Sequence, residues 1–324
     1  MIAAKDGLFR LDTGTTSYWL RVTKFGHLEH LHYGERLTEQ DPEGLALKRT
    51  AMFGSSVLYD DSDPVYCLDT MALEWSGIGR GDYRHSPAEL KMPDGSFTCD
   101  FVYRSHRILP GPVPMETLPN AYGEASDCDT LEITLADTST DVELLLYYTV
   151  YAAADVIARR AVILNHAEKP LVIRRFMSMM VDLPNLGFDL ITFDGGWIRE
   201  AHRHTRPVQY GMYVNESTTG ASSNRHNPGF LLAEAEAGED HGRVYGFNLV
   251  YSGNHYGAVE RSSQDIVRVN LGISPHCFEW TLQKGERFET PEAVMTFSAG
   301  GFGGVSARFH DFVNRHIVRG GWQG

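Results

Sequence analysis

Long apolar runs, clustered cysteines and positive charge are what this chain of 324 residues has least of. No segment approaches the ~18 consecutive apolar residues of a membrane-spanning helix, so none is expected to cross a bilayer. The first residues, Met1-Ile-Ala-Ala-Lys-Asp-Gly7, lack the apolar core of a secretory leader. Cys67, Cys99, Cys128 and Cys277 are widely spaced and form no Cys-x-x-Cys pair. That spacing predicts reduced thiols and a cytoplasmic setting rather than a disulfide framework. Lys and Arg number 29 against 42 Asp and Glu, a formal charge of −13. Phosphate backbones and anionic lipid surfaces need clustered cations, so neither nucleic acid nor membrane is an expected partner. Even the densest basic stretch, Arg199 to Arg206, is interrupted by Glu200. Helical periodicity is scarce too, and is absent until the C-terminal segment.

What the chain has in quantity is period-two alternation, the pattern of strands with one buried face. Leu131-Glu-Ile-Thr-Leu135 alternates apolar and polar, and Val142 to Tyr151 is a β-branched and aromatic run suited to a central strand. Val156 to Asn165 and Leu171 to Val181 follow, separated by the polar turn His166-Ala-Glu-Lys-Pro170. Tyr18 to Thr23 and Leu28 to Tyr33 flank Lys24-Phe-Gly26 as a hairpin. Further on, Tyr245, Phe247, Leu249 and Tyr251 share a face, and Ile266 to Leu271 alternates. Phe278, Trp280 and Leu282 share a face before the Lys284-Gly-Glu286 turn, and Ala293, Met295 and Phe297 share one after it. About sixteen to twenty strands result. An all-β chain of this length predicts a large two-layer, mostly antiparallel sandwich or two fused sandwiches. Past Gly300-Gly-Phe-Gly-Gly304, Val305, Phe309, Phe312, Val313 and Ile317 recur at helical spacing, with Ser306 the expected N-cap. The predicted organisation is a sandwich over 1–300 and a linker helix over 301–324.

Two stretches, 41–88 and 184–230, read as long loops, which in a compact domain are usually functional or interfacial. They hold Leu68-Asp-Thr70, Gly81-Asp-Tyr-Arg84, Asp194-Gly-Gly-Trp197 and Ser222-Ser-Asn-Arg-His-Asn-Pro228. Thr130-Leu-Glu-Ile133, Val244-Tyr-Gly-Phe247, Val250-Tyr-Ser-Gly-Asn254, Gly272-Ile273 and Thr290-Pro-Glu292 join them. In order and spacing these segments resemble glycoside hydrolase family 36, the tetrameric retaining α-galactosidases of bacteria and fungi. The resemblance covers almost the whole chain. It implies an N-terminal β-supersandwich that leads, in the family, through a linker helix into a (β/α)8 barrel, with this chain stopping about where the barrel begins. Retaining glycosidases use two carboxyl groups ~5–5.5 Å apart. In the family both are barrel aspartates, so no catalytic residue is expected here, and no metal or organic cofactor is implied. The expected role is accessory: bracing the barrel, building a homotetramer and rimming the galactose pocket of an enzyme that hydrolyses melibiose- or raffinose-type α-galactosides.

For site residues, the resemblance implies that Trp197 reaches the galactose, and an indole face suits the apolar C–H surface of a sugar. Thr50, within Lys48-Arg-Thr-Ala-Met-Phe53, stands where the family has an aspartate that bonds sugar hydroxyls. A hydroxyl lacks the charge-assisted strength of that carboxylate. Asp82, Tyr83, Arg84, Asn224 and Asn227 are candidates for the pocket rim or an oligomer contact; a structural role, with Arg84 paired to a local acid, is the preferred reading of the first three, and subunit contact or loop packing that of the two asparagines. His27, His30 and His32 cluster, and His202 and His204 form a His-x-His pair, but no carboxylate or cysteine is spaced to complete a metal set. Surface or half-buried imidazoles are therefore expected. The aromatic content of 11% also suits a free-standing, lectin-like carbohydrate-binding sandwich. A mutarotase-type sandwich epimerase is the third possibility, and it needs a catalytic Glu and His facing a concave sheet.

Overall fold

Alternation is strongest where one face of a strand meets the core. The computed structural model of the chain, which describes residues 1–38, 41–49 and 56–322, places strands at those segments. β1 (Ile2–Lys5), β2 (Leu8–Asp12), β3 (Thr16–Val22) and β4 (Leu28–Glu35) form a sheet in chain order. After the short α1 (Pro42–Leu45), and a stretch that is largely irregular over 56–87, come β5 (Ala88–Lys91), β6 (Phe101–Pro110), β7 (Cys128–Asp137), β8 (Val142–Tyr151), β9 (Val156–Asn165) and β10 (Leu171–Pro184). The chain continues through β11 (Phe188–Gly196), β12 (Arg199–Pro207), β13 (Gly211–Glu216), β14 (His226–Glu234) and β15 (Val244–Leu249). It then forms β16 (His255–Arg261), β17 (Ile266–Ile273), β18 (Trp280–Leu282), β19 (Arg287–Glu289) and β20 (Ala293–Ser298). The largest sheet runs β12-β11-β14-β15-β20-β9-β8-β7-β6, with β19 also on β9; another runs β13-β16-β17-β10-β18, with β5 also on β10.

One apolar core joins all three sheets. Leu131, Ile133, Leu144 and Leu146 come from the large sheet, Phe176 and Val269 from the second, and Phe9 and Leu20 from the β1–β4 sheet. The large sheet is thus one layer of the predicted sandwich, and the two smaller sheets face it side by side. Each such side chain, fully buried, stabilises by about 1.5–3 kcal/mol relative to exposure. Alternate residues of β8, β9 and β20 point the other way and receive the helix α2 (Gly301–Phe312), which continues as a wider π turn over Val313–Ile317. There Phe312 packs with Tyr151, Val156 and Val294, while Val305 packs with Ile191, Ala233 and Val244. The helix expected as a linker over 301–324 therefore lies on the sandwich.

Two expectations need correction. Helix α2 begins at Gly301, not after a Ser306 cap. Its first amides are met instead by the distant turn between β14 and β15: Gly301 N–H bonds the Gly242 carbonyl, Phe302 that of Gly238 and Gly303 that of Glu239. Gly301, at φ +69°, permits that approach, since a Cβ there would strike the Gly238 carbonyl. The second correction concerns 184–230, which is not a long loop but mostly β11 to β14. The strand β12, Arg-Glu-Ala-His-Arg-His-Thr-Arg-Pro, exposes both faces to water, so no apolar alternation betrays it.

Candidate functional site

The hairpin β11–β12 closes on Gly195-Gly196-Trp197-Ile198. A Cβ at Gly195 would collide with the Arg199 carbonyl, so only glycine fits where the two strands cross so closely. Ile198 sits at φ +66°, a conformation that a β-branched residue adopts only under constraint. The result is a tip that holds two large apolar side chains in water: Trp197 is 78% exposed and Ile198 80%. β12 is the terminal strand of its sheet, and Arg199, His202, Arg203, His204 and Arg206 along it oppose edge-to-edge pairing.

The Ser222–Pro228 segment lies directly beside this tip. Gly195 N–H donates to the Arg225 carbonyl at 3.0 Å, and His226 Nδ1 donates to Asp194 at 2.8 Å. Burial opposes ionisation of Asp194, but the hydroxyl of Thr192 at 2.6 Å and His226 together hold its carboxyl below the usual range. The loop is anchored in turn on the 251–254 turn: Ser222 Oγ donates to the Tyr251 carbonyl, and Gly220 N–H to Asn254. Asn224 and Asn227 are exposed on this surface. Asn227 uses its side-chain oxygen to receive Gly229 N–H and its carbonyl to receive Asn215, so part of its polarity is spent on shaping the turn. An exposed indole beside amide, guanidinium and imidazole groups can stack on a sugar ring and bond its hydroxyls.

Asp82, Tyr83 and Arg84 are not part of that surface. The side chains of Asp82 and Arg84 are closed inside the second sheet, where Asp182 of β10 and Arg268 of β17 stand opposite each other. Arg268 bonds Asp182 at 2.7 Å and Asp82 at 2.8 Å, and Arg84 bonds Asp82 at 2.7 Å and Asp182 at 3.0 Å. Arg84 also donates to the carbonyls of Leu68 and Met71, which ties down the irregular 56–87 stretch. Burial opposes charge on Asp82, and Arg268 and Arg84 overcome it, holding the carboxyl well below its ordinary value. Tyr83 alone of the three faces water, 69% exposed, beside a cleft that includes Tyr210 and Arg261. The nine residues of β12, at ~3.3 Å each, put about 30 Å between Trp197 at its start and Tyr210 just beyond its end. Thr50 lies outside the described residues.

The histidines expected at or near the surface divide. His27 and His30 are instead buried, because acids receive them inside: His27 bonds Asp100 and Tyr66, each at 3.0 Å, and His30 bonds Glu74 at 2.8 Å. Glu74 also takes hydrogen bonds from Tyr18 and Tyr148 and an ion pair from Arg159 at 3.1 Å, all sealed from water. Burial resists its charge, while Arg159 and His30 lower its pKa. His202 and His204 stay exposed on β12. Among the described residues no three His, Cys, Asp or Glu side chains gather as a metal set. Periodicity offered no sign of Glu74, Arg159, Asp182 or Arg268 as partners, since each lies inside an apolar run and meets its partner only across the fold.

A family model described as the glycosyl hydrolase family 36 N-terminal domain matches residues 26–283. α-Galactosidase AgaA of Geobacillus stearothermophilus is 35% identical over 316 residues, which span 97% of this chain and 43% of that protein. The crystal structure of the family 36 α-galactosidase AgaB from the same organism superposes with a TM-score of 0.95 at 34% identity, covering 100% of this chain and 44% of that one. A variant of AgaA crystallised in complex with raffinose gives 0.94 at 34% identity, covering 98% and 44%. The chain thus spans less than half the length of each of these relatives.

Proposed function

The chain belongs to glycosyl hydrolase family 36 as its N-terminal domain, and from that premise we propose that it is the non-catalytic N-terminal part of a retaining α-galactosidase. The observation that carries this is the pattern of coverage: almost the whole chain aligns with AgaA and AgaB, and with under half of each. Its own buried carboxylates support the division of labour. Glu74, Asp82 and Asp182 are neutralised by arginines in sealed clusters, where they stabilise the sandwich and cannot meet a substrate. The part it plays is to brace a catalytic domain, to contribute to a homotetramer and to roof the galactose pocket with Trp197. Asn224 and Asn227 line the same rim, and Tyr83 serves a subunit contact. A variant of AgaA forms a crystalline complex with raffinose, and melibiose- or raffinose-type α-galactosides are the substrates of the whole protein. Four cysteines without disulfides suit a cytoplasmic setting.

The test is an exchange. This chain replaces the aligned part of AgaA, and the chimera is assayed on melibiose and on p-nitrophenyl α-galactoside beside the isolated chain. The chimera hydrolyses both, Trp197→Ala raises its KM about tenfold, a loss of about 1.4 kcal/mol of binding, and the isolated chain is inert. Turnover by the isolated chain at rates typical of an enzyme would overturn the assignment.

A further inference from the structure

The sandwich is not closed at every edge. At one end β18 belongs to one layer and β19 to the other, and a cleft of about 440 Å³ opens between them, lined by Tyr251, Phe278, Trp280 and Phe288 among others. Period two explains its aromatic wall. Leu282 of β18 points into the core and is buried, and Trp280, two residues earlier on the same face, emerges at the edge with 52% of its surface in water. Its ring lies 6.0 Å from that of Phe288, which in turn lies 5.8 Å from Phe278, so the platform is held by packing on both layers. The rim is polar: Arg287 and Glu116 pair at 3.0 Å, both more than half exposed, with Thr117 beside them. Glu289 is committed to Arg160.

We propose that this cleft binds a sugar ring of an α-galactoside oligosaccharide, with Trp280 as the stacking face and Arg287 and Glu116 as the hydrogen-bonding rim. An exposed indole next to a paired guanidinium and carboxylate offers an apolar plane, donors and acceptors within one cleft, the combination that a pyranose with its C–H face and vicinal hydroxyls requires. Its volume lies within the ~300–1,000 Å³ of small-molecule sites. A protein partner needs roughly 1,200 Å² or more of total buried surface, which so small a mouth does not supply by itself. The choice of galactosides rests on the function proposed above; neither Trp197 nor Ile198 lines this cleft, and the two roles can fail separately.

The five tryptophans of the chain give five indole N–H signals in a proton–nitrogen correlation spectrum, and Trp280→Phe and Trp197→Phe identify two of them. On titration of the 324-residue chain with raffinose, the Trp280 signal moves saturably, and Glu116→Ala weakens the binding at least severalfold by calorimetry without shifting thermal unfolding. The proposal is overturned if the Trp280 signal stays fixed at tens-of-millimolar raffinose, a concentration about tenfold above a millimolar Kd, or if Glu116→Ala binds as tightly as the parent. Movement of the Trp197 signal alone also overturns it, and leaves the galactose-pocket role of Trp197 standing. Should Trp280→Phe fail to fold, the Glu116→Ala calorimetry decides.

Discussion

The β11–β12 hairpin and the floor beneath the Gly81–Arg84 turn both set arginines against rings or carboxylates, but water reaches one and not the other. On the hairpin, Arg203 lies 4.1 Å over Phe302 and Arg206 4.2 Å over Tyr213, at the surface. Exposed pairs of this kind contribute about 0–1 kcal/mol each. Beneath the turn, Arg268 has no exposed side-chain surface, and two aspartates share its guanidinium. Removing one partner there strands an uncompensated charge away from water. The same residue types are therefore structural in one place and free for recognition in the other, and burial alone makes the difference.

The largest test of that contrast is Arg268→Ala. It lowers the unfolding free energy by about 3–5 kcal/mol, or prevents soluble folding, because Asp82 and Asp182 then share Arg84 alone and one buried negative charge is left unbalanced. Urea denaturation reads it, and a loss under about 1 kcal/mol would erase the distinction between the two regions. A middle-sized effect is expected at His255, which is buried with neither ring nitrogen hydrogen-bonded. Burial, with His226 adding to it, pushes its pKa down to about 4, against ~6.5 in an unfolded chain. A depressed histidine gives its full stabilisation above the unfolded value and loses it as pH falls from ~6.5 towards 4, because only the unfolded chain takes up the proton there. Comparing unfolding at pH 7 and pH 4.5, the parent loses about 2 kcal/mol more than His255→Phe; equal losses would show that the site tolerates the charged ring. The smallest effect belongs to Trp197→Ala, under about 0.5 kcal/mol in stability. A clear drop in thermal unfolding would mean that the indole packs on the sandwich, and the pocket role would then lose its residue.

Several strands were legible to the residue. β8 over Val142–Tyr151 and β9 over Val156–Asn165 match two long, mostly apolar runs, since one face of each meets the core and the other meets helix α2, which leaves few polar positions. β12 was invisible for the opposite reason: it has no core face. The motifs around Trp197 and Ser222 were both conspicuous in the sequence, but their adjacency, through Gly195 with Arg225 and Asp194 with His226, follows from the register of β11 on β14. The Asp-Tyr-Arg motif was conspicuous too. Pairing of Arg84 with a local acid was legible there, and Asp82 is that acid; the distant partners Asp182 and Arg268 were not.

What the amino-acid order decides unaided is therefore the all-β class, most of the strands flanking the core and the motifs that mark the family, because alternation and turn chemistry act over a few neighbouring residues. Which charges are withdrawn from water was left to the tertiary structure. Arg268 finds Asp182 across 86 positions of chain only once β10 and β17 lie side by side, and Trp280 becomes a wall of a cleft only because two layers part at that end. Such pairings are set by how the sheets register and stack, and no window of sequence contains that information.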